Sequence, residues 1–316
     1  MTARIFIDGE AGTTGLQIAG RLGRRGDLSL IRLDDAERKD AGARKAALAD
    51  ADVAILCLPD DAAREAVALA DESTRIIDAS TAHRTAAGWV FGYPELEAGH
   101  EAKIAGARLV ANPGCYALSS IALIRPLVAS GLMPADFPVT INAVSGYSGG
   151  GKSLIKRMED ASAEEAISSE FYYYGLGLEH KHVPEIQAHS LLEARPLFVP
   201  SVGRYRQGMI VQAPLQLAAL PGTPSIADLH GCLSAWYAGR RFVTVAGPGD
   251  AAGHAALLDP EALNGTNHLR LYVFGNDAHG HAVLAAQSDN LGKGAAGSAV
   301  QNLNIMLGLA EETGLE

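Results

Sequence analysis

One of the three cysteines in this chain is placed where its sulfur can do chemistry. Cys115 follows a short apolar run and the turn Asn112-Pro113-Gly114, and a helix-like run to Val128 follows it. The open N–H groups and the dipole at a helix start favour a thiolate over a thiol. A cysteine nucleophile needs a positioned acid/base, and histidine is the usual one. His182 supplies it, in Glu179-His180-Lys181-His182-Val183-Pro184-Glu185. His180-x-His182 and His279-x-His281 also resemble halves of a zinc site, but no HExxH or CxxC accompanies them, so no metal is expected. Cys57 and Cys232 fall inside apolar patterns and are expected in the core.

The second chemical signal is Gly9-Glu10-Ala11-Gly12-Thr13-Thr14-Gly15, spaced G-x-x-G-x-x-G, after a strand and opening a helix. Glycines let the backbone turn tightly against a pyrophosphate, whose charge the helix N-terminus stabilises. This predicts a dinucleotide site at Gly9, Gly12, Thr13, Thr14 and Gly15. At the end of the second strand, Asp34 and Asp35 would suit a ribose 2′-hydroxyl, whereas Arg38 and Lys39 would suit a 2′-phosphate. Both kinds are present, so these residues do not decide between NAD and NADP.

Cations for an anionic substrate come next. Arg84 closes the segment Asp78-Ala79-Ser80-Thr81-Ala82-His83-Arg84, beyond a strand, where a guanidinium can hold a carboxylate or phosphate. The alternative for Arg84 is a surface salt bridge. Arg204 and Arg206 precede another strand. Gly146-Tyr147-Ser148-Gly149-Gly150-Gly151-Lys152-Ser153 matches the letter of a nucleotide-binding P-loop. The surrounding elements lack the βαβ alternation that a P-loop requires, so a substrate-side loop or a plain glycine turn is expected.

These residues must be positioned by elements. Up to about residue 115, strand patterns (Arg4–Ile7, Leu28–Leu33, Val53–Leu58, Arg75–Asp78, Leu109–Ala111) alternate with helical ones. That alternation predicts βαβ units and a doubly wound parallel sheet of Rossmann type. After about residue 135 the strands are Val139–Val144, Met209–Leu215, Phe242–Ala246, Leu269–Phe274 and Ala282–Gln287. Helices are expected at about 152–167, 226–239 and 295–309. This predicts a second, α+β domain with a mainly antiparallel sheet, whose open edges suggest a homodimer or homotetramer.

Composition bounds the function classes. The chain has 316 residues, and 26 Lys+Arg against 36 Asp+Glu give a net charge of −10. That balance argues against a nucleic-acid surface, though a local pocket can still be positive. No apolar run approaches the ~20 residues needed to span a bilayer, and the first residues read as a strand rather than a leader. Three widely spaced cysteines exclude a disulfide framework and suit the reducing cytoplasm.

The order of motifs resembles one family. The glycine turn, Asp78–Arg84, Gly92-x-Pro94-Glu95-Leu96, Asn112-Pro113-Gly114-Cys115-Tyr116 and His182-x-Pro184-Glu185 occur as in N-acetyl-gamma-glutamyl-phosphate reductases, of the aspartate-semialdehyde dehydrogenase superfamily. Ser145-Gly146-Tyr147-Ser148-Gly149 and Asp289-Asn290-Leu291-Gly292-Lys293-Gly294 are similar too, which weakens the P-loop reading further. The length resembles the shorter branch, and His83 stands where an aromatic is common. The resemblance implies an arginine-biosynthesis enzyme that reduces N-acetyl-glutamyl 5-phosphate with NADPH through a Cys115 thioester. It implies substrate contacts at Ser145, Gly146 and Glu185, and cofactor contacts at Cys57, Pro59, Ser80 and Asn290. It also implies that the last helix returns to the dinucleotide domain, giving domains 1–115 with 290–316, and 116–289. The alternatives are a reductase of another acyl phosphate, of the aspartate-semialdehyde type, and a non-catalytic dinucleotide module.

Overall fold

The computed structural model describes residues 2–315. The chain divides into two compact units: one runs to Pro94, resumes at Ala98–Gly114 and takes the chain from Ala295 on, and the other comprises Glu95–Glu97 and Cys115–Gly294.

In the first unit, β1 (Ala3–Asp8), α1 (Thr13–Leu22), β2 (Leu28–Ile31), α2 (Ala41–Asp50), β3 (Val53–Leu56), α3 (Asp60–Leu69), β4 (Arg75–Asp78), β5 (Val90–Phe91), α4 (His100–Gly106) and β6 (Leu109–Ala111) follow one another. Their strands form one sheet in the order β2-β1-β3-β4-β6-β5, parallel throughout. Strands covered on both faces read as continuous apolar runs. Val53-Ala54-Ile55-Leu56 fits that rule, with all four residues fully buried. Phe6, Leu48, Leu56 and Ile76 form one core of this unit. Strand β2 stops at Ile31, before Leu33, because Asp34 turns the chain, accepting from the N–H groups of Ala36 and Glu37 (both 2.9 Å).

The second unit contains α5 (Cys115–Ala129), β7 (Thr140–Gly146), α6 (Gly151–Glu159), β8 (Phe171–Tyr173), α7 (Val183–His189), β9 (Leu197–Gly203), β10 (Met209–Gln216), α8 (Ile226–Trp236), β11 (Val243–Val245), α9 (Pro248–His254), β12 (Leu269–Asn276) and β13 (His281–Ser288). The sheet order is β11-β12-β13-β10-β7-β9-β8. Four of its six pairs are antiparallel, while β7–β9 and β11–β12 are parallel. Strand β9 was not expected from sequence, because Pro200 interrupts the run. The missing N–H of Pro200 falls where β8 has ended, and its carbonyl still accepts from the N–H of Tyr174 (3.2 Å). Helix α6 is shorter than its apolar spacing suggests. It ends at Glu159, and the Asp160 carboxylate then accepts from the N–H and Oγ of Ser162 (2.9 and 2.6 Å).

Beyond β13 a π-helical turn (Gly292–Ala296) leads into α10 (Gly297–Met306), which is buried along its whole length and belongs to the first unit. No helix among the described residues is long and apolar enough to cross a membrane.

Candidate active site

The turn before Cys115 is held from several directions. Beyond β6, the Asn112 N–H donates to the Asp78 carbonyl (2.8 Å), so the ladder runs one residue past the strand. The Asn112 amide donates to the Ala295 carbonyl (3.0 Å) and accepts from Asn302 (3.1 Å). The Asn112 carbonyl accepts from Arg84 Nε (3.0 Å). Cys115 is then the first residue of α5, whose first turn carries no acidic residue to oppose the helix dipole. An added Cβ on Gly294 would lie 2.8 Å from the Cys115 Cβ, so only glycine leaves Cys115 its position. The other cysteines, expected in the core, are only partly buried, and both are poor nucleophiles. Burial, with the Asp78 and Asp8 carboxylates, pushes the Cys57 thiol up to about 12. Burial also raises that of Cys232, although a bond with Ser130 pulls the other way.

Tyr116, next in the chain, links this helix to the histidines. Its ring meets those of His180 and His182 edge-on, each at 5.9 Å between centroids. His182 is buried at the N-cap of α7, and Pro184 occupies the first turn, where a missing N–H costs nothing. Glu185, also buried, follows on the same helix. His180 Nδ1 accepts the N–H of His182 (3.2 Å), which leaves its proton on Nε2, 3.3 Å from the Tyr174 hydroxyl. Tyr174 and Tyr116 are hydrogen-bonded to each other, and the Ser145 hydroxyl also reaches Tyr116. The Ser201 carbonyl accepts from the Tyr116 hydroxyl (3.1 Å). Burial, reinforced by the charge at Cys115, pushes Tyr174 up to about 12 and Tyr116 well above its ordinary value. Both phenols are therefore neutral hydrogen-bonding groups. Sequence reasoning missed Tyr174, because a tyrosine in a loop carries no local signal.

Burial and the nearby Lys181 charge lower His180 to about 4, against 6.5 for an ordinary imidazole. The fold thus favours neutral His180, and that stability is complete above pH 6.5 and lost as pH falls towards 4. Thermal melts between pH 4 and 7 should show wild type losing stability steeply in that window. A His180→Gln variant, which cannot titrate there, should show a shallower loss.

The first unit carries the glycine turn. Gly9 has φ +86°, and a Cβ there would meet the Cys57 carbonyl oxygen at 2.3 Å. A Cβ on Gly15 would meet the Gly9 carbonyl oxygen at 2.4 Å. The hydroxyl of Thr13, first residue of α1, is buried without a hydrogen-bond partner in the protein, and no acidic residue occupies that first turn. An open N-terminus with a waiting hydroxyl fits a pyrophosphate, and Thr14 and Gly15 continue the same turn of helix. Left-handed strain of about 1–3 kcal/mol, added to the steric overlap, should make Gly9→Ala bind NADPH at least ~10-fold more weakly, as read by fluorescence titration.

Pro59 caps α3 in extended conformation. Ser80 donates through N–H and Oγ to Asp78 (2.9 and 2.7 Å), whose carboxylate also meets His83 Nδ1 at 2.6 Å while that ring stacks on Trp89 at 4.2 Å. Arg84 is buried rather than on the surface, and it also donates to the Ala79 carbonyl (3.1 Å). Arg38 pairs with exposed Asp35 (2.9 Å), and Lys39 ends the same 3-10 turn.

In the second unit, Arg204 donates to the carbonyls of Met158 (3.0 Å) and Ile167, and Arg206 pairs with Glu159. Both guanidiniums thus brace the segment around the end of α6. The Asn290 amide is occupied by the Gly208 N–H (2.8 Å) and the Ser148 hydroxyl (3.0 Å), a tie within this unit. The loop that resembles a P-loop has its first three N–H groups engaged. Those of Gly146, Tyr147 and Ser148 donate to the carbonyls of Gly208, Tyr205 and Arg206, at 2.9, 3.0 and 3.0 Å. Phosphate cradling needs those groups open. No group of three potential metal ligands occurs among the described residues.

The NAD binding domain signature of semialdehyde dehydrogenases matches residues 12–104, and the semialdehyde dehydrogenase dimerisation domain matches 115–290. The chain is 55% identical to an N-acetyl-gamma-glutamyl-phosphate reductase of Brucella anthropi, over 98% of this chain and 99% of that one. Against the Brucella ovis protein of the same name the identity is 54%, over 98% and 100%. Among solved structures, aspartate semialdehyde dehydrogenase II of Vibrio cholerae superposes with TM-score 0.71 at 14% identity, covering 97% of this chain and 98% of that one. The Candida albicans aspartate semialdehyde dehydrogenase with NADP gives 0.65 at 14%, covering 97% and 99%.

Proposed function

The chain belongs to the N-acetyl-gamma-glutamyl-phosphate reductases of the semialdehyde dehydrogenase family, and we propose that Cys115 and His182 carry its reaction. That reaction is reduction of N-acetyl-glutamyl 5-phosphate to N-acetyl-glutamate 5-semialdehyde and phosphate, a step of arginine biosynthesis. What supports this assignment of residues is the ring of Tyr116, the residue after Cys115, packed against His182.

His182 takes the Cys115 proton. The thiolate attacks the acyl carbon, and phosphate leaves with the electron pair of the C–O bond, giving a thioester. NADPH, held at the Gly9–Gly15 turn, would supply the hydride that reduces the thioester carbonyl. His182 protonates the resulting oxyanion, while the N–H groups that open α5 hold its charge. The hydroxyl proton returns to His182 as the carbonyl reforms and Cys115 departs as thiolate. Ser145 and Glu185 contact the substrate in this scheme; the Gly146 N–H is already held by the Gly208 carbonyl (2.9 Å). Arg84 acts through the Asn112 turn that presents Cys115. Arg206, whose side chain is 58% exposed, is better placed to meet a substrate anion than Arg204, whose guanidinium is occupied by carbonyls.

We also place the enzyme in the cytoplasm, where Cys115 stays reduced, and infer self-association at the exposed edge strand β8. Phe171, Tyr173, Leu176 and Leu178 are exposed there, in the segment matching a dimerisation domain. A second copy of this chain is the occupant proposed. The decisive experiment follows NADPH oxidation with N-acetyl-glutamyl phosphate and with aspartyl phosphate. Turnover of the first alone is expected, and preference for the second would overturn the substrate assignment.

A further inference from the structure

Within the second unit lies an ion pair removed entirely from water. Lys293 Nζ donates to both oxygens of Glu95 (2.8 and 2.9 Å), with side-chain exposures of 0% and 2%. The Lys293 ammonium also lies 5.7 Å from the Phe242 ring centroid. Such pairs seldom raise stability, because desolvating two charges offsets their attraction. A role in fixing one conformation is the better-attested use. The conformation concerned is unusual: Lys293 sits in the π-helical turn Gly292–Ala296, and π-turns recur at functional sites.

That turn touches the nucleophile. Gly294, the next residue, packs on Cys115 so closely that a Cβ would come within 2.8 Å of the cysteine Cβ and 3.3 Å of its Cα. Gly292 is equally constrained, since a Cβ there would lie 2.1 Å from the Thr266 carbonyl oxygen. The Gly294 N–H donates to the Asp289 carbonyl (3.0 Å), and the Asp289 carboxylate accepts from Gln207, the Gly265 N–H and the Leu291 N–H (2.5, 2.8 and 2.8 Å). The turn is thus fixed at its start by Asp289 and beside Gly294 by Lys293.

We propose that Lys293 and Glu95 are positioning residues for Cys115, setting through Gly294 the place of the sulfur at the start of α5. The inference rests on Cys115 being the nucleophile, but its test does not depend on the substrate. The apolar pair Glu95→Leu/Lys293→Met keeps the volume and removes both charges together. We expect this variant to melt within a few degrees of wild type and to bind NADPH normally. Its kcat should fall by about 10²-fold with KM within threefold. Alkylation by iodoacetamide, followed at the Cys115 peptide by mass spectrometry, should slow at least tenfold, with its pH profile displaced. Should that variant fail to fold, Glu95→Asp draws the ammonium back by one methylene while keeping the ion pair, and the same two rates should fall together about 5- to 20-fold. A folded variant whose Cys115 alkylation stays within twofold of wild type would overturn the proposal. If the acyl-phosphate assignment were wrong instead, wild type would show no turnover, while the alkylation ratio would still report on Lys293.

Discussion

Cys115→Ser should abolish turnover, lowering kcat by at least ~10³-fold, while leaving the fold and NADPH binding intact. A serine hydroxyl fits where a thiol fits, so thermal stability should hold to within a few degrees. What is lost is the anion. At the start of α5 the helix favours a thiolate, but a hydroxyl stays protonated at neutral pH. The substitution also isolates a single step. Wild type mixed with acyl phosphate and no NADPH should release one equivalent of phosphate per site and gain the mass of an N-acetyl-glutamyl group. The serine variant should do neither. Neither Cys57 nor Cys232 can replace the missing sulfur, since burial raises both thiols, Cys57 to about 12. Turnover within tenfold of wild type would remove the thioester from the mechanism.

How far such a site could be read from sequence depended on how local its signals were. The glycine turn and the Pro113-Gly114-Cys115 turn are set by neighbours in the chain, and both appear at the predicted strand-to-helix junctions. Five strands of the parallel sheet were legible for the same reason, each reading as one short apolar run, whereas β5, two residues long, was not. Long-range features were not legible. Nothing near Arg204 in sequence says that Met158 and Ile167 will offer it carbonyls. Nothing near Tyr174 says that it will meet His180. The loop after Gly146 shows the converse: its local letters fit a phosphate cradle, the surrounding pattern already argued against one, and distant carbonyls occupy its first three N–H groups. Strand β9 was hidden by Pro200, harmless only because a neighbouring strand ends opposite it.

The histidine pair shows why the second large effect belongs to His182 rather than to His180. His180 is held neutral, at about 4, with Nδ1 accepting from the His182 N–H. A base that low releases its proton readily but hardly collects one at pH 7, and catalytic efficiency peaks when the pKa lies near the working pH. His180 is therefore suited to fixing the backbone of its neighbour. His182, beside Tyr116, is the residue assigned to proton transfer. His182→Asn, which keeps a polar group of similar reach, should lower kcat by about 10²–10⁴-fold, the range of one general acid–base contribution. Because all three proton transfers in the cycle use the same imidazole, the variant should also lose the pH dependence of kcat near neutrality. His180→Asn should behave otherwise: its carbonyl oxygen can still accept the His182 N–H, so kcat should fall by no more than about tenfold, with the wild-type pH profile retained. Stopped-flow records of NADPH absorbance across pH 5.5–9 would separate the two. If the His180 variant lost the pH dependence and the His182 variant kept it, the roles would be exchanged, with Tyr174 and His180 forming the proton path.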